Sequence, residues 1–180
     1  FDAERFPDAR EKLLQEVKVS SDSIILLFIG RVTRDKGIAE LVTSFLQARN
    51  QIKNLELVLV GPFEEKLDIL PSETLDLIKN NPHIHHLGFK TNPEFYFAGA
   101  DIFCLPSYRE GFGTVVLEAA ASGLCTIGTR IPGLVDSIVD GETGMLVELK
   151  NTNELSKAMV ELASNQKLRE QLSLNALERA

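Results

Sequence analysis

One predicted loop-to-helix junction combines two carboxylates with two glycines. Glu110 and Glu118 bracket this junction, and Gly111 and Gly113 lie between them. The backbone N–H groups of residues 111–115 would have no intrahelical partner at the start of a helix, so they could bind an anion such as a phosphate. Carboxylates accept hydrogen bonds from hydroxyl groups. The junction therefore predicts a ligand that carries both phosphate and hydroxyls, which is the chemistry of a nucleotide sugar.

Taken alone, most of these residues also have an ordinary structural explanation. Glu118, expected in about the first helical turn, could simply offset the helix dipole, and Glu110 could be a solvated loop residue. Phe112 resists such an explanation, because an aromatic residue between two glycines of a polar loop fits no periodic pattern. The combination favours a ligand site that comprises Glu110, Gly111, Phe112, Gly113, Thr114, Val115 and Glu118.

A second segment supplies two cations. Arg31 and Lys36 lie between Gly30 and Gly37, in a loop that follows the first predicted strand and opens a helix. Arginine offers a bidentate fork and lysine a point charge, so the pair could bind a diphosphate, although loop cations are often only solvated. The loop lacks the glycine patterns of dinucleotide-binding and P-loop sites. It therefore indicates a different kind of phosphate site.

Alternating strands and helices must position these segments. Short apolar runs predict strands at 24–29, 55–60, 84–89, 102–105, 124–127 and 145–147. Longer amphipathic runs predict helices at 37–49, 64–80, 92–98, 114–122, 133–139, 151–165 and 166–180. We further expect Asn92 to cap its helix and Gly123 to end the helix before it in a left-handed conformation.

This alternation predicts an α/β fold. Apolar strands joined by helices imply a doubly wound, Rossmann-like parallel sheet of about six strands with both faces covered. Such sheets bind ligands at the carboxyl ends of their strands, near the topological switch point. The loops that follow Ile29, Val60, Phe89 and Leu105 are therefore the expected functional edge.

Composition bounds the class of protein. With 180 residues, 44% hydrophobic and 25% charged, the chain fits one globular domain. Its net charge of −7 argues against nucleic acid as a partner. Cys104 and Cys125 lie in apolar runs and are expected to be reduced core thiols of a cytosolic protein. The three histidines, His83, His85 and His86, lack the spacing of a helical metal site, and we expect them on a half-exposed edge.

The two chemical segments together resemble a known family, the retaining glycosyltransferases of the GT-B fold, family four (glycosyl transferases group 1). That family carries Gly-Arg-x4-Lys-Gly and Glu-x7-Glu, which here are residues 30–37 and 110–118. The surrounding segments also match, namely Pro106–Glu110, Ile131–Gly133, Asp140–Gly141 and Thr143–Val147. The resemblance extends over nearly the whole chain, from a hinge-like Glu4-Arg5-Phe6 onward.

The resemblance implies roles for individual residues. Arg31 and Lys36 would hold the donor diphosphate and support the leaving group, and Glu110 would contact the donor sugar, so these three are the predicted catalytic residues. Glu118 would bind the ribose hydroxyls, and the loop at Phe89 would bind the base. The predicted donor-binding residues are Gly30, Phe89, Lys90, Gly111, Phe112, Gly113, Thr114, Val115 and Glu118.

The resemblance also implies an activity and a domain organisation. The reaction would be retaining transfer of a sugar, from a UDP-sugar in the first instance, to an acceptor glycan or lipid-linked glycan in bacterial polysaccharide or lipopolysaccharide synthesis. No metal or cofactor is expected. Residues 1–180 would form one nucleotide-sugar-binding domain, with a hinge-proximal segment at 1–22 and a truncated terminal helix at 166–180. The acceptor-binding N-terminal domain would be missing, so the isolated domain is expected to be inactive.

Other functions remain compatible with the residues. A GT-B nucleotide-sugar epimerase or a sugar phosphorylase would share the fold, although we find no signature of a pyridoxal phosphate lysine. A non-catalytic nucleotide-binding domain would keep the fold without the reaction. The expected location is the cytoplasm, with peripheral membrane association through the missing domain as a further possibility, since no run is long enough for a transmembrane helix and no signal peptide is present.

Overall fold

Six parallel strands form one sheet in the computed structural model, which describes residues 5–64 and 68–180. The strands are β1 (Ile24–Ile29), β2 (Leu55–Val60), β3 (Ile84–His86), β4 (Ile102–Leu105), β5 (Thr126–Thr129) and β6 (Gly144–Val147). Their spatial order is β3-β2-β1-β4-β5-β6. The chain winds outward from β1 to β3 and then returns to β1 as β4, so the switch point lies between β1 and β4. The predicted Rossmann-like sheet is confirmed.

Eight helices of the described residues cover the sheet. They are α1 (Ala9–Val17), α2 (Ile38–Arg49), α3 (Ser72–Asn80), α4 (Pro93–Gly99), α5 (Thr114–Ala121), α6 (Leu134–Ser137), α7 (Thr152–Ser164) and α8 (Gln166–Arg179). Packing joins α1 to α4, α2 to α7, and α5 to α8. Four buried phenylalanines are among the largest core side chains, namely Phe28, Phe45, Phe97 and Phe103.

Helix α1 is anchored to the rest of the fold by an ion pair and hydrogen bonds that were not predicted from the sequence. Its side chain Arg10 donates hydrogen bonds from Nη1 to Asp101 Oδ2 at 2.7 Å and to the Gly99 carbonyl at 3.0 Å. The same Asp101 oxygen accepts a hydrogen bond at 2.7 Å from the backbone N–H of Ile25, the second residue of β1. Nine residues of the segment 1–22 therefore form a packed helix that is anchored by Arg10. Residues 1–4, including the Glu4 of the expected hinge, lie outside the described residues.

Four predicted elements had bounds that were wrong by two residues or more. The helix expected at 133–139 ends at Ser137, because Ile138 is extended (φ −118°, ψ 122°). The helix expected at 64–80 begins at Ser72, because Pro71 holds an extended conformation (φ −54°, ψ 142°); residues 65–67 lie outside the described residues. The strand expected at 84–89 ends at His86, since its partner β2 ends at Val60 and pairs with it only up to Leu59. The strand expected at 124–127 lies at 126–129, in register with β4 and β6.

Two predicted helix ends can be checked directly. Helix α4 begins at Pro93 as expected, but the Asn92 side chain makes no capping hydrogen bond. Gly123 has a left-handed φ of 73° after α5, as expected.

Candidate functional site

An open cavity of about 380 Å3 lies at the carboxyl ends of β1 and β4, where the strand order reverses. This first cavity is lined by Ile29, Gly30, Lys36, Leu105, Glu110, Gly111, Phe112, Gly113, Thr114 and Val115. The cavity therefore brings together the lysine of the first predicted segment and the glycine-bearing loop of the second. Its position is the one that the doubly wound topology predicts for a ligand.

An ion pair crosses the first cavity. Lys36 Nζ donates a hydrogen bond to Glu110 Oε1 at 2.6 Å, which joins the loop after β1 to the loop after β4. Both side chains are largely shielded from solvent, with exposed fractions of 18% for Lys36 and 13% for Glu110. Each charge therefore offsets the other, and an anionic ligand must compete with Glu110 for the ammonium group.

Two glycines allow the loops of the cavity to approach so closely. Gly37, which precedes α2, has a φ of 70°, and a Cβ there would lie 2.0 Å from the Pro106 carbonyl oxygen. Gly133, which precedes α6, has a φ of 86°, and its Cβ would lie 2.7 Å from the carbonyl oxygens of Glu110 and Gly111. Any larger residue at either position would push apart the segments that form the cavity wall.

The N-terminus of α5 offers free backbone donors to this cavity. Val116 N–H bonds to the Gly113 carbonyl at 2.8 Å, whereas the N–H groups of 111–115 have no hydrogen-bond acceptor among residues 5–64 and 68–180. Gly111, Phe112 and Thr114 are exposed, so water or a ligand can reach this set of donors. The arrangement is a helix start that can bind an anion.

Glu118 occupies a different environment from the one expected. It is the fifth residue of α5, and the first turn of that helix contains no acidic residue, so a simple role in offsetting the helix dipole is wrong. Burial, with the nearby carboxylate of Glu94, raises the pKa of Glu118. No hydrogen bond or ion pair from the described residues reaches its carboxylate. Glu118 lines neither the first cavity nor the one beside it.

A second cavity of about 350 Å3 adjoins the first and shares Ile29 and Gly30 with it. Its other lining residues are Arg31, Val60, Gly61, Pro62, Phe89, Lys90 and Pro93. Its wall is mostly apolar, and Phe89 is 71% exposed beside it. Such a surface suits a flat, uncharged ring better than a phosphate.

Arg31 belongs to this second cavity, so it does not stand beside Lys36 on one wall. Its guanidinium makes only loose ion pairs, at 3.8 Å to Asp35 Oδ2 and 4.0 Å to Glu64 Oε2, and its side chain is 51% exposed. Burial would raise the pKa of Asp35, but a hydrogen bond from Thr33 and the nearby cations lower it. The ionised Asp35 therefore attracts Arg31 only weakly, and the guanidinium remains half exposed.

The histidines lie away from both Lys36 and Glu110. His83 Nδ1 and His85 Nε2 contact the two oxygens of Glu56 at 3.0 and 2.9 Å, at the β2–β3 edge of the sheet. Although burial would raise the pKa of Glu56, these histidine contacts lower it. His86 contacts the Gly61 carbonyl at 2.8 Å. The three side chains are partly buried on the edge strand, as expected for this segment.

The described residues contain neither a metal-binding cluster nor a membrane-spanning helix. Among residues 5–64 and 68–180, no group of three or more His, Cys, Asp or Glu side chains could hold a metal ion. Within the same ranges, no helix has the length and apolar character needed to cross a membrane. Cys104 and Cys125 are both buried free thiols, and burial raises the pKa of Cys125 to about 11.

Several residues that line the two cavities were not among the predicted site residues. Ile29 and Leu105 form apolar parts of the first cavity, and Gly61, Pro62 and Pro93 line the second. All lie at or just beyond the end of a strand or at the start of a helix. The signal that could have found them was the predicted functional edge itself, since the loops after β1, β2, β3 and β4 all contribute.

Known proteins place this chain in a family. The model of the family Glycosyl transferases group 1 matches residues 9–179. The capsular polysaccharide biosynthesis glycosyltransferase CapM of Staphylococcus aureus is 31% identical over 177 residues, which are 98% of this chain and 46% of that protein. The N,N'-diacetylbacillosaminyl-diphospho-undecaprenol alpha-1,3-N-acetylgalactosaminyltransferase of Campylobacter jejuni is 33% identical over 157 residues, which are 87% of this chain and 40% of that protein.

The fold has close counterparts among solved structures. HepE of Anabaena, crystallised in complex with UDP and glucose, matches 99% of this chain and 50% of its own with a TM-score of 0.87 and 21% identity. The chain spans 46% of CapM and 50% of HepE, so it covers about half the length of these proteins. It belongs to the glycosyl transferases group 1, and its Rossmann-like sheet is of the kind found in GT-B glycosyltransferases.

Proposed function

We propose that this chain binds a nucleoside-diphosphate sugar, with UDP as the nucleotide. The observation that carries the proposal is the first cavity, which places the Lys36 ammonium and the free N–H groups of residues 111–115 around one space at the switch point. Cationic and N–H donors there suit a diphosphate, and Glu110 suits the hydroxyls of a sugar. The relative HepE, whose structure contains UDP and glucose, supports this choice of ligand.

In the proposed complex, different residues at the carboxyl edge of the sheet bind different parts of the donor. Lys36 and the amides of 111–115 bind the diphosphate, and Arg31 reaches it from the mouth of the second cavity. Glu110 accepts hydrogen bonds from the donor sugar. Glu118, whose carboxylate has no hydrogen bond or ion pair with the described residues, binds the ribose hydroxyls. Phe89 and Lys90 line the second cavity, where the base lies.

We further propose that the complete enzyme transfers the sugar with retention of configuration. As the bond to the sugar breaks, negative charge grows on the departing diphosphate, and Arg31 and Lys36 stabilise it where it develops. Exclusion of water from a closed cleft strengthens that stabilisation. In this mechanism the two cations do the work that a divalent metal does elsewhere, so the activity is expected to persist in a chelator such as EDTA.

The acceptor belongs to a part of the enzyme beyond this chain. Because the chain covers about half of its relatives, we propose that an N-terminal domain binds the acceptor and closes over the donor. The names of CapM and of the Campylobacter enzyme favour a glycan or a lipid-linked glycan as acceptor in polysaccharide synthesis, reached at the inner face of the membrane. This chain alone is then expected to bind donor without transferring sugar.

Calorimetric titration of the chain with UDP, GDP and ADP tests the binding proposal. We expect UDP to bind, and we expect Arg31→Ala and Lys36→Ala to weaken the affinity for UDP. Lys167→Ala, at an exposed site on α8, should leave that affinity unchanged. If no nucleotide binds at millimolar concentration, the proposal fails. Incubation of the full-length protein with donor alone separates transfer from epimerisation, because an epimerase would change the sugar without an acceptor.

A further inference from the structure

One side chain of helix α1, Glu16, contacts Lys90, which is a lining residue of the second cavity. Glu16 Oε1 accepts a hydrogen bond from Lys90 Nζ at 2.7 Å, and Glu16 Oε2 accepts one from the Tyr96 hydroxyl at 3.2 Å. The Lys90 ammonium also lies 5.7 Å from the centre of the Tyr96 ring. Three separate elements, α1, the loop after β3 and helix α4, therefore meet at one carboxylate.

Glu16, Lys90 and Tyr96 form a cluster of which only Lys90 lines the second cavity. Tyr96 is 3% exposed, so its ring is a fixed point, while the Glu16 and Lys90 side chains are 31% and 29% exposed. The 2.7 Å contact pairs the Lys90 ammonium with Glu16, and this hydrogen bond raises the pKa of Lys90 above its ordinary value. The pair thus holds one end of residues 88–90, whose other side faces the cavity.

This pairing changes what Lys90 can do in the second cavity. Lys90 lines the cavity, but its charge is paired with Glu16. Apart from the half-exposed Arg31, the cavity is left mostly apolar, with Phe89 exposed in its wall. A base bound there would be recognised chiefly by the shape and backbone groups of the loop, and such recognition depends on how firmly the loop is held.

We propose that Glu16 is a positioning residue for base recognition, acting through Lys90 and Tyr96 on the loop at residues 88–90. This inference rests on the proposed function, because it assigns the base of the nucleotide to the second cavity. It places a residue of α1, far from both sequence motifs, within the donor-binding machinery. It also predicts that Glu16 affects the base end of the ligand and leaves the diphosphate end unaffected.

The test compares UDP with inorganic pyrophosphate, which lacks the base. Glu16→Gln is expected to raise the Kd for UDP about two- to fivefold, the range that a partly exposed ion pair supports. The Ki of pyrophosphate, measured by displacement of UDP, should not change. Glu11→Gln is the matched control, since Glu11 lies on the same helix and is exposed, accepting a hydrogen bond from Gln15.

High salt separates a role of the ion pair from a general loss of structure. Because salt screens a partly exposed ion pair, the ratio of the UDP Kd of Glu16→Gln to that of wild type should fall towards one as the ionic strength rises. The inference is overturned if Glu16→Gln matches the control for UDP, if UDP and pyrophosphate weaken equally, or if this ratio does not change with salt. Failure of the wild-type chain to bind UDP would instead overturn the proposed function.

Discussion

Replacing Glu110 by glutamine is expected to tighten the binding of UDP to this chain, although Glu110 lies in the proposed site. The Glu110 carboxylate is 2.6 Å from Lys36 Nζ, so it competes directly with a phosphate for that ammonium. The substitution keeps the size of the side chain and removes its charge. A site whose cation is released should bind the product-like nucleotide more strongly.

The size of the effect follows from the geometry of the pair. Two unit charges 2.6 Å apart attract by about 6 kcal/mol at an effective dielectric constant of about 20. Desolvation offsets most of this attraction, and a hydrogen bond to a charged group contributes about 1.5–3 kcal/mol net. Because the glutamine oxygen still accepts a weaker bond from Lys36, we expect about 1.4 kcal/mol, which is tenfold in Kd.

Calorimetry with UDP and with UDP-glucose measures this effect. UDP should bind about tenfold more tightly to Glu110→Gln, and UDP-glucose should gain less or lose affinity, because its hydroxyls lose a charged acceptor. High salt should shrink the difference for UDP. Glu73→Gln, at an exposed site on α3, is the control. The reasoning is refuted if Glu110→Gln weakens UDP binding as much as Lys36→Ala does.

Three further substitutions test the structure around the site. Gly37→Ala should lower the free energy of unfolding by about 2–4 kcal/mol in urea denaturation, because its Cβ would strike the Pro106 carbonyl, and an unchanged midpoint would contradict this packing. Gly111→Ala should unfold like wild type, since its Cβ would meet no atom within 4 Å, but should weaken UDP binding by entering the first cavity. Glu118→Gln should raise Tm at pH 7. The pKa of Glu118 in the folded protein is raised above its ordinary 4.5, so its contribution to stability is complete below that value and is lost as the carboxyl ionises at higher pH. The gain in Tm of Glu118→Gln over wild type should therefore vanish near pH 4. The same difference in Tm between variant and wild type at pH 4 and at pH 7 would refute this reasoning.

The sheet and the place of the site could be predicted from sequence because each rests on local patterns. Strand β1 is a run of β-branched and apolar residues, and the alternation of such strands with helices implies a parallel sheet covered on both faces. A strand order with one reversal then requires a cleft at the strand ends. The same reasoning located Lys36 and Glu110 at one edge before any distance was known.

The remaining errors had two sources, namely contacts between residues distant in sequence and local signals that were not used. Glu16 and Lys90 are 74 residues apart, and no periodicity links them. Helix α1 did have a pattern, since Leu13, Leu14 and Val17 are all buried, but the segment was interpreted only through its resemblance to a hinge. The late start of α3 had a readable cause in Pro71, whose predecessor is biased away from helical conformation. Glu118 was assigned to about the first helical turn, although the predicted helix start at residue 114 already makes it the fifth helical residue.

The most direct test of the account is the affinity of this chain for UDP with and without the Lys36 side chain. We predict that UDP binds the wild-type chain and that Lys36→Ala weakens it at least tenfold, while Lys167→Ala binds like wild type. Equal affinity of the two lysine variants, or no binding of UDP at millimolar concentration, would contradict the claim that the switch-point cavity is a donor site.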